Sequence, residues 1–115
     1  MMLTIDALRQ FGADTAQGLG RCMNNEAFYL RLVKMALADG NFEKLGLAVE
    51  SGDKTAAFEA AHALKGVLAN LALDPILAPV SELTELLRAG QDADYPAYLR
   101  VILEKRGALA ALCDA

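Results

Sequence analysis

Apolar residues recur along most of the chain at the spacing of α-helices. One helical face is predicted for each of three stretches, in which positions three or four apart are apolar. These stripes are Phe28, Leu32, Met35 and Ala36; Leu83, Leu86 and Leu87; and Leu99, Ile102, Leu103, Leu109 and Leu112. Stripes of this kind form the core of a helical domain, so we assign them no ligand role.

Capping and turn residues divide the chain into helix-length pieces joined by short loops. Asp74-Pro75 is a strong start signal, because proline at the first helical position gives up an N–H that has no helical partner. Pro79 leaves two alternatives for that helix, a bend at Pro79 or a start nearer Ala78. The predicted pieces are Thr4 to Gly12, Thr15 to Cys22, Asn25 to Ala38, Asn41 to Gly52, Asp53 to Leu71, Asp74 to Gly90 and Asp94 to Cys113.

These pieces predict an all-α fold, an antiparallel up-down four-helix bundle with one or two short extra N-terminal helices. The chain of 115 residues has the length of one domain, so residues 1–115 are expected to form a single unit. The composition agrees, because 55% of the residues are apolar but only 6% are aromatic and none is Trp.

Charge and cysteine content exclude several classes of protein. The net charge of −4 makes nucleic-acid binding unexpected, since proteins that neutralise phosphate backbones are usually basic. No apolar run approaches the roughly 20 residues of a membrane span. Cys22 and Cys113 are expected to be reduced, buried thiols of a cytoplasmic protein, because a domain of this size needs no disulfide.

The single histidine, His62, lies in the middle of the fifth predicted helix. At 100° per residue, Leu64, Leu68 and Leu71 fall on the opposite side of that helix, which is the predicted core face. The imidazole is therefore predicted to point into solvent. A lone histidine is most often an ordinary surface or core residue, and only its neighbours argue otherwise.

Three small or charged neighbours share the face of His62. Lys65, at i+3, can bring an ammonium group near the outer ring nitrogen. Gly66, at i+4, costs about 1 kcal/mol relative to alanine in a helix, and an alanine-rich helix has no propensity reason to contain it. With Ala69 one turn further on, Gly66 would leave room for a partner surface beside the imidazole.

The chemistry open to this face is narrow. The predicted helices supply no serine, carboxylate or second histidine at the spacing of a catalytic triad, and His62 with Glu59 is too few ligands for zinc. An exposed neutral imidazole is nevertheless a competent nucleophile. With access and one positive charge, it could accept a phosphoryl group, which predicts a carrier of phosphate rather than an enzyme.

The run His62-Ala-Leu-Lys65-Gly66, followed by Asn70-Leu71, resembles the motif of the histidine-containing phosphotransfer (HPt) domain family. Residues 12–14, 18–21 and 28–30 resemble its N-terminal segment, so the resemblance covers about residues 3–87. Two departures are Val67-Leu68 after the glycine and Ala72 after Asn-Leu. In addition, Thr84 stands where some members have a longer residue that hydrogen-bonds the imidazole, which makes Thr84 the candidate for orienting the ring.

The resemblance implies an intermediate of a phosphorelay. A response-regulator receiver domain would pass its phosphoryl group to His62, and a second receiver would remove it, with Lys65 stabilising the phosphoryl oxygens. The Mg²⁺ would belong to the receiver's acidic pocket, so the resemblance implies no metal and no cofactor in this chain. Phe58 and Glu59 are candidates for the docking surface, although Phe58 could equally be half-buried against the short N-terminal helices.

Partners and assembly follow from the same resemblance. Receiver domains are the expected partners, a hybrid sensor kinase is a further one, and the protein is expected to be a free-standing monomer. One alternative remains open, a helical interaction module that is never phosphorylated. A second, the dimerisation and phosphoacceptor part of a histidine kinase, would require a nucleotide-binding domain that 115 residues cannot hold.

Overall fold

The computed structural model describes residues 3–114, and in these residues every regular element is an α-helix. This confirms the all-α prediction. The helices are α1 (Ile5–Phe11), α2 (Thr15–Arg21), α3 (Glu26–Leu37), α4 (Asn41–Ser51), α5 (Lys54–Asn70), α6 (Asp74–Arg88) and α7 (Tyr95–Asp114).

Side-chain caps set most helix starts where the sequence predicted them. The side chains of Thr4, Asp14, Asn25 and Asp53 each accept a hydrogen bond from the backbone N–H three residues on. Such bonds satisfy amide groups that have no partner inside the helix. Helix α6 runs unbroken from Asp74 through Pro79, so the alternative start near Ala78 is wrong.

Four helices, α4 to α7, form a closed ring of contacts. Helix α5 packs against α4 and α6, and α7 packs against α6 and α4. The loops of residues 52–53 and 71–73 are short enough to favour antiparallel neighbours. The core of this ring consists of fully buried aliphatic side chains, among them Leu45, Leu64, Leu68, Leu73, Ile76, Leu83, Ile102 and Leu109.

The three N-terminal helices pack onto the ends of the ring. The hydroxyl of Tyr29 in α3 donates to the carbonyl of Leu71 at 2.8 Å, and Arg21 in α2 donates to the carbonyl of Ala69. At the other end of α3, Arg106 of α7 donates to the Leu37 carbonyl from Nε at 2.9 Å and from Nη2 at 2.7 Å. These bonds satisfy carbonyls at the C-terminal ends of α5 and α3, and they join the N-terminal segment to α5 and to α7.

The predicted apolar face of α3 is wrong by one residue. Phe28 and Met35 are exposed, Met35 by 62%, whereas Tyr29 and Val33 are fully buried. Only Ala36 of the predicted stripe lies in the core. The other two predicted stripes agree better with the structure. Their buried members are Leu83, Leu87, Ile102 and Leu109, although Leu103 is exposed.

The cysteines agree with the sequence in part. Cys22 is buried, as predicted, whereas Cys113 is only half-buried. No helix among residues 3–114 is both long and apolar enough to cross a lipid bilayer.

Candidate functional site

Helix α5 carries His62 on the side that faces away from the core. Asp53 caps its start, and its buried face consists of Ala57, Ala60, Ala61, Leu64 and Leu68. His62 lies opposite these residues and is exposed. The structure thus confirms the predicted orientation: the imidazole faces solvent from a helix that Asp53 caps at its start and that Arg21 and Tyr29 contact at its end.

Lys65 lies one turn beyond His62 and is half-buried. Its Nζ lies 3.3 Å from Oε1 of Glu85 on α6. The other carboxylate oxygen of Glu85 lies 3.1 Å from Nε of Arg88. The hydrogen bond from Lys65, followed by that from Arg88, holds the pKa of the Glu85 carboxyl below its ordinary value. Glu85 therefore stays ionised at neutral pH and pairs with both cations.

Phe58 lies one turn before His62, and the two rings are stacked. Their centroids are 5.6 Å apart and their planes differ by 12°. The guanidinium carbon of Arg88 lies over the Phe58 ring, 5.1 Å from its centroid. Phe58 is half-buried, as one alternative held, but these neighbours lie on α5 and α6 rather than on the short N-terminal helices that were expected to cover it.

We refer to these five residues, His62, Phe58, Lys65, Glu85 and Arg88, as the α5–α6 cluster. The sequence indicated three of them as site residues, but it gave no role to Glu85 or Arg88. Their charge and their spacing of three residues in α6 were visible, yet only the packing of α6 on α5 places them beside Lys65 and Phe58.

Gly66 and Ala69 leave the surface beside the imidazole open. Gly66 is exposed, and a Cβ added there would meet no atom within 4 Å outside its own helical surroundings. Ala69 is half-buried, and its carbonyl is occupied by Arg21. A partner surface can therefore approach His62 along this side of α5.

Two other predicted site residues lie apart from the cluster. Glu59 is exposed and lines a shallow hollow between α4 and α5, together with Lys44 and Ser51. Thr84 is fully buried, and its hydroxyl donates to the Val80 carbonyl at 2.7 Å. The only hydroxyl proton of Thr84 is thus used within α6, and no hydrogen bond joins it to His62 in the described part of the chain. The expectation that Thr84 orients the imidazole is not supported by this geometry.

The arrangement offers a nucleophile, a neighbouring cation and space for a reacting group. Among the side chains of residues 3–113, no three His, Cys, Asp or Glu come together as metal ligands. An exposed imidazole edge beside an ammonium group is suited to hold a phosphoryl group, whose oxygens the cation stabilises.

Comparison with known proteins identifies one family. The family model of the Hpt domain matches residues 31–115, about three quarters of the chain. This match extends through α7, beyond the stretch of about residues 3–87 that carried the sequence resemblance, and it leaves out the N-terminal residues 1–30. No curated protein and no solved structure matches the chain.

Proposed function

The chain belongs to the Hpt domain family, and on this ground we propose that it is a phosphorelay intermediate that uses His62 as its phosphoacceptor. Hpt domains perform histidine phosphotransfer in phosphorelays, and they are phosphocarriers rather than enzymes in the usual sense. In the proposed reaction, His62 accepts a phosphoryl group from a receiver-domain aspartate and passes it to another receiver. The observation that carries this proposal is the exposed imidazole of the chain's only histidine, with Lys65 one turn away and open space at Gly66.

The proposed transfer requires only a nucleophile and a neighbouring positive charge from this chain, and the receiver supplies the rest. The lone pair of the outer ring nitrogen forms a bond to phosphorus while the bond from phosphorus to the aspartyl oxygen breaks. The electron pair leaves with the regenerated carboxylate, and the proton on the inner ring nitrogen stays where it is. Any metal ion in the reaction is the receiver's, so this chain is proposed to carry neither metal nor cofactor.

Lys65 is proposed to stabilise the phosphoryl oxygens. Its ammonium is 3.3 Å from Glu85, and both side chains are partly exposed, so the ion pair contributes little to folding stability. A phosphoryl group on His62 would carry more negative charge than the carboxylate of Glu85. Lys65 can therefore turn from one anion to the other at low cost.

The receiver is proposed to dock on the open face of α5. This surface includes Gly66, Ala69 and Glu59 around His62. A response-regulator receiver has an acidic pocket, and Lys65 supplies the complementary charge. Receivers, and a hybrid sensor kinase as a source of phosphate, are the partners that this proposal includes; nucleic acid is not among them.

Residues 1–115 are proposed to form one domain, although the family match begins at residue 31. The support is the contact of the preceding segment with the phosphoacceptor helix, through Arg21 at Ala69 and through Tyr29 at Leu71. We also propose that the domain acts as a monomer in the cytoplasm.

Replacement of the histidine tests the proposal directly. We expect His62→Gln to abolish phosphoryl acceptance from a phosphorylated receiver, measured by mass spectrometry under non-acidic conditions that preserve phosphohistidine. Because the ring is exposed, the free energy of unfolding should change by only about 0.5 kcal/mol. A wild-type chain that is never phosphorylated by any receiver of its organism would favour the alternative of an interaction module.

Replacement of the lysine tests the role of the positive charge. Lys65→Ala should slow transfer about tenfold, because a partly exposed ammonium stabilises the transition state by on the order of 1–2 kcal/mol. Lys105→Ala, which removes an exposed lysine from α7, is the matched control and should leave the rate unchanged. Equal rates in the two variants would reduce Lys65 to a structural partner of Glu85.

A further inference from the structure

The orientation of the imidazole has to be set by some part of the protein. An exposed histidine can rotate about two side-chain bonds, whereas in-line transfer requires the attacking nitrogen to point at phosphorus. Thr84 donates its proton to Val80. In the described residues His62 contacts the ring of Phe58, and no hydrogen bond holds either ring nitrogen.

The Phe58 ring restricts the imidazole through its flat face. A centroid separation of 5.6 Å and an interplanar angle of 12° describe an offset stack, which is a favoured arrangement of aromatic pairs. A stack occupies the face of the imidazole and leaves its edge, which bears both nitrogens, accessible. A hydrogen bond would instead occupy one of these nitrogens.

Phe58 is itself held in place by two other groups. The ring is half-buried and packs against the hydrophobic core. Arg88 lies over it at 5.1 Å, and Glu85 fixes Arg88 through a 3.1 Å ion pair. The orientation of the Phe58 ring is therefore determined by α6 as well as by α5, the helix that carries it.

We propose that Phe58 is the positioning residue for the phosphoacceptor, taking the part that the sequence suggested for Thr84. The stack limits rotation of the His62 ring so that its outer nitrogen faces an incoming phosphoryl group. This inference rests on the proposed function, because positioning matters only if His62 accepts phosphate. It differs from a docking role, in which Phe58 would contact the receiver and leave the ring of His62 unaffected.

Two substitutions separate the flat ring from apolar bulk. Phe58→Leu keeps an apolar side chain in the half-buried position but removes the stacking surface, and Phe58→Tyr retains it. For each variant, the initial rate of transfer is measured against the concentration of phosphorylated receiver, which gives kcat and KM. Phosphoramidate, a small donor with no docking surface, supplies a second measurement of acceptance, and NMR relaxation of the His62 ring reports its motion.

Positioning predicts a specific set of results. Phe58→Leu should lower kcat about 3- to 10-fold with KM within about twofold of wild type, as expected for loss of one aromatic pair. Acceptance from phosphoramidate should fall as well, the imidazole should become more mobile, and Phe58→Tyr should restore all three.

Each other result overturns the inference. A rise in KM alone assigns Phe58 to docking. Unchanged kinetics together with unchanged mobility of the His62 ring mean that Phe58 has no role in transfer. A loss that follows the melting temperature and is not restored by Phe58→Tyr makes it a packing residue. A loss on Thr84→Val, with Phe58→Leu unaffected, returns the role to Thr84. If the wild-type chain accepts phosphate from neither donor, the proposed function itself fails, whereas a wild-type chain that reacts while Phe58→Leu reacts equally well disproves only the positioning role.

Discussion

At position 66, a glycine occupies the interior of a helix although it is a poor helix former. Its surroundings do not explain its presence, because an added Cβ would meet no atom within 4 Å. Gly18 is different, since a Cβ there would overlap the ring of Tyr29. The absence of a packing reason at Gly66 is what an access role beside His62 requires.

Substitution of Gly66 should therefore separate stability from reactivity. Gly66→Gln is expected to raise the free energy of unfolding by up to about 1 kcal/mol, because glycine is the weaker helix former. Phosphotransfer should fall, because the new side chain would lie one turn from His62, in the path of the receiver. Thermal melts and transfer rates measured on the same sample test both halves of this prediction.

Gly107 provides the control for this variant. It lies in α7, is exposed, and also has no atom within 4 Å of an added Cβ. Gly107→Gln should be stabilising without any loss of transfer. A sharp drop in the stability of Gly66→Gln would instead place Gly66 in a packed contact that this structure does not contain.

The sequence could indicate part of the site because that part depends on one helix alone. The positions of His62, Lys65 and Gly66 on a shared face follow from a rotation of 100° per residue. The partners Glu85 and Arg88 could not be predicted in this way. They lie on another helix, and their contacts depend on how α6 packs against α5 and on which rotamers the side chains adopt.

At the scale of helices, the capping residues were a better guide than the apolar stripes. Cap residues act locally, through a hydrogen bond to an amide three residues away, so a single sequence contains the whole signal. The buried face of α3, in contrast, cannot be read from the local sequence alone. Both Phe28 with Leu32 and Tyr29 with Val33 have helical spacing, and the choice between them is made by tertiary contacts.

The contacts that bury the Tyr29 face of α3 involve α2 and the end of α5. The Tyr29 hydroxyl reaches the Leu71 carbonyl, and its ring lies against Gly18, where no side chain intervenes. A tyrosine can be buried only where its hydroxyl has such a partner. This requirement could not be checked before the positions of α2 and α5 were known.

Two glycines of α2 form a matched pair for testing this contact. Gly18→Ala should destabilise the protein by about 1–3 kcal/mol, because the added methyl group would displace the Tyr29 ring. The free-energy cost of that displacement exceeds the gain in helix propensity from alanine. Gly20→Ala, in the same helix and with open space around it, should hold or raise stability. Urea denaturation of both variants makes the comparison, and equal effects would show that Tyr29 can move aside at no cost.

At the scale of the molecule, the N-terminal helices support the end of α5, the helix that carries His62. The carbonyls of Ala69 and Leu71 lie where α5 ends, and Arg21 and Tyr29 occupy them. Both donors come from the segment that precedes the family match. The ring of α4 to α7 provides the core, and the preceding segment satisfies polar groups that the ring alone would leave without partners.

Because the phenol of Tyr29 is buried, the stability of the whole fold depends on pH in the alkaline range. Burial, followed by electrostatic interaction with Cys22, Asp14 and Asp74, raises the pKa of Tyr29 from its usual value of 10 to about 12. The folded state therefore favours the neutral phenol. Its contribution to stability is fully present below pH 10, where the unfolded chain is also protonated, and is lost as the pH rises towards 12.

Comparison with Tyr29→Phe isolates this contribution, because the other two tyrosines are present in both proteins. At pH 9 the wild type should be more stable by about 0.5–1.5 kcal/mol, the value of the hydrogen bond to Leu71. Between pH 10 and 12 this advantage should shrink by on the order of 2 kcal/mol and then reverse, because only the wild type has a buried group that must lose its proton. Urea denaturation at several pH values measures the difference. An advantage that stays constant across this range would mean that the Tyr29 hydroxyl is open to solvent, and that α2 and α3 do not close over the end of α5.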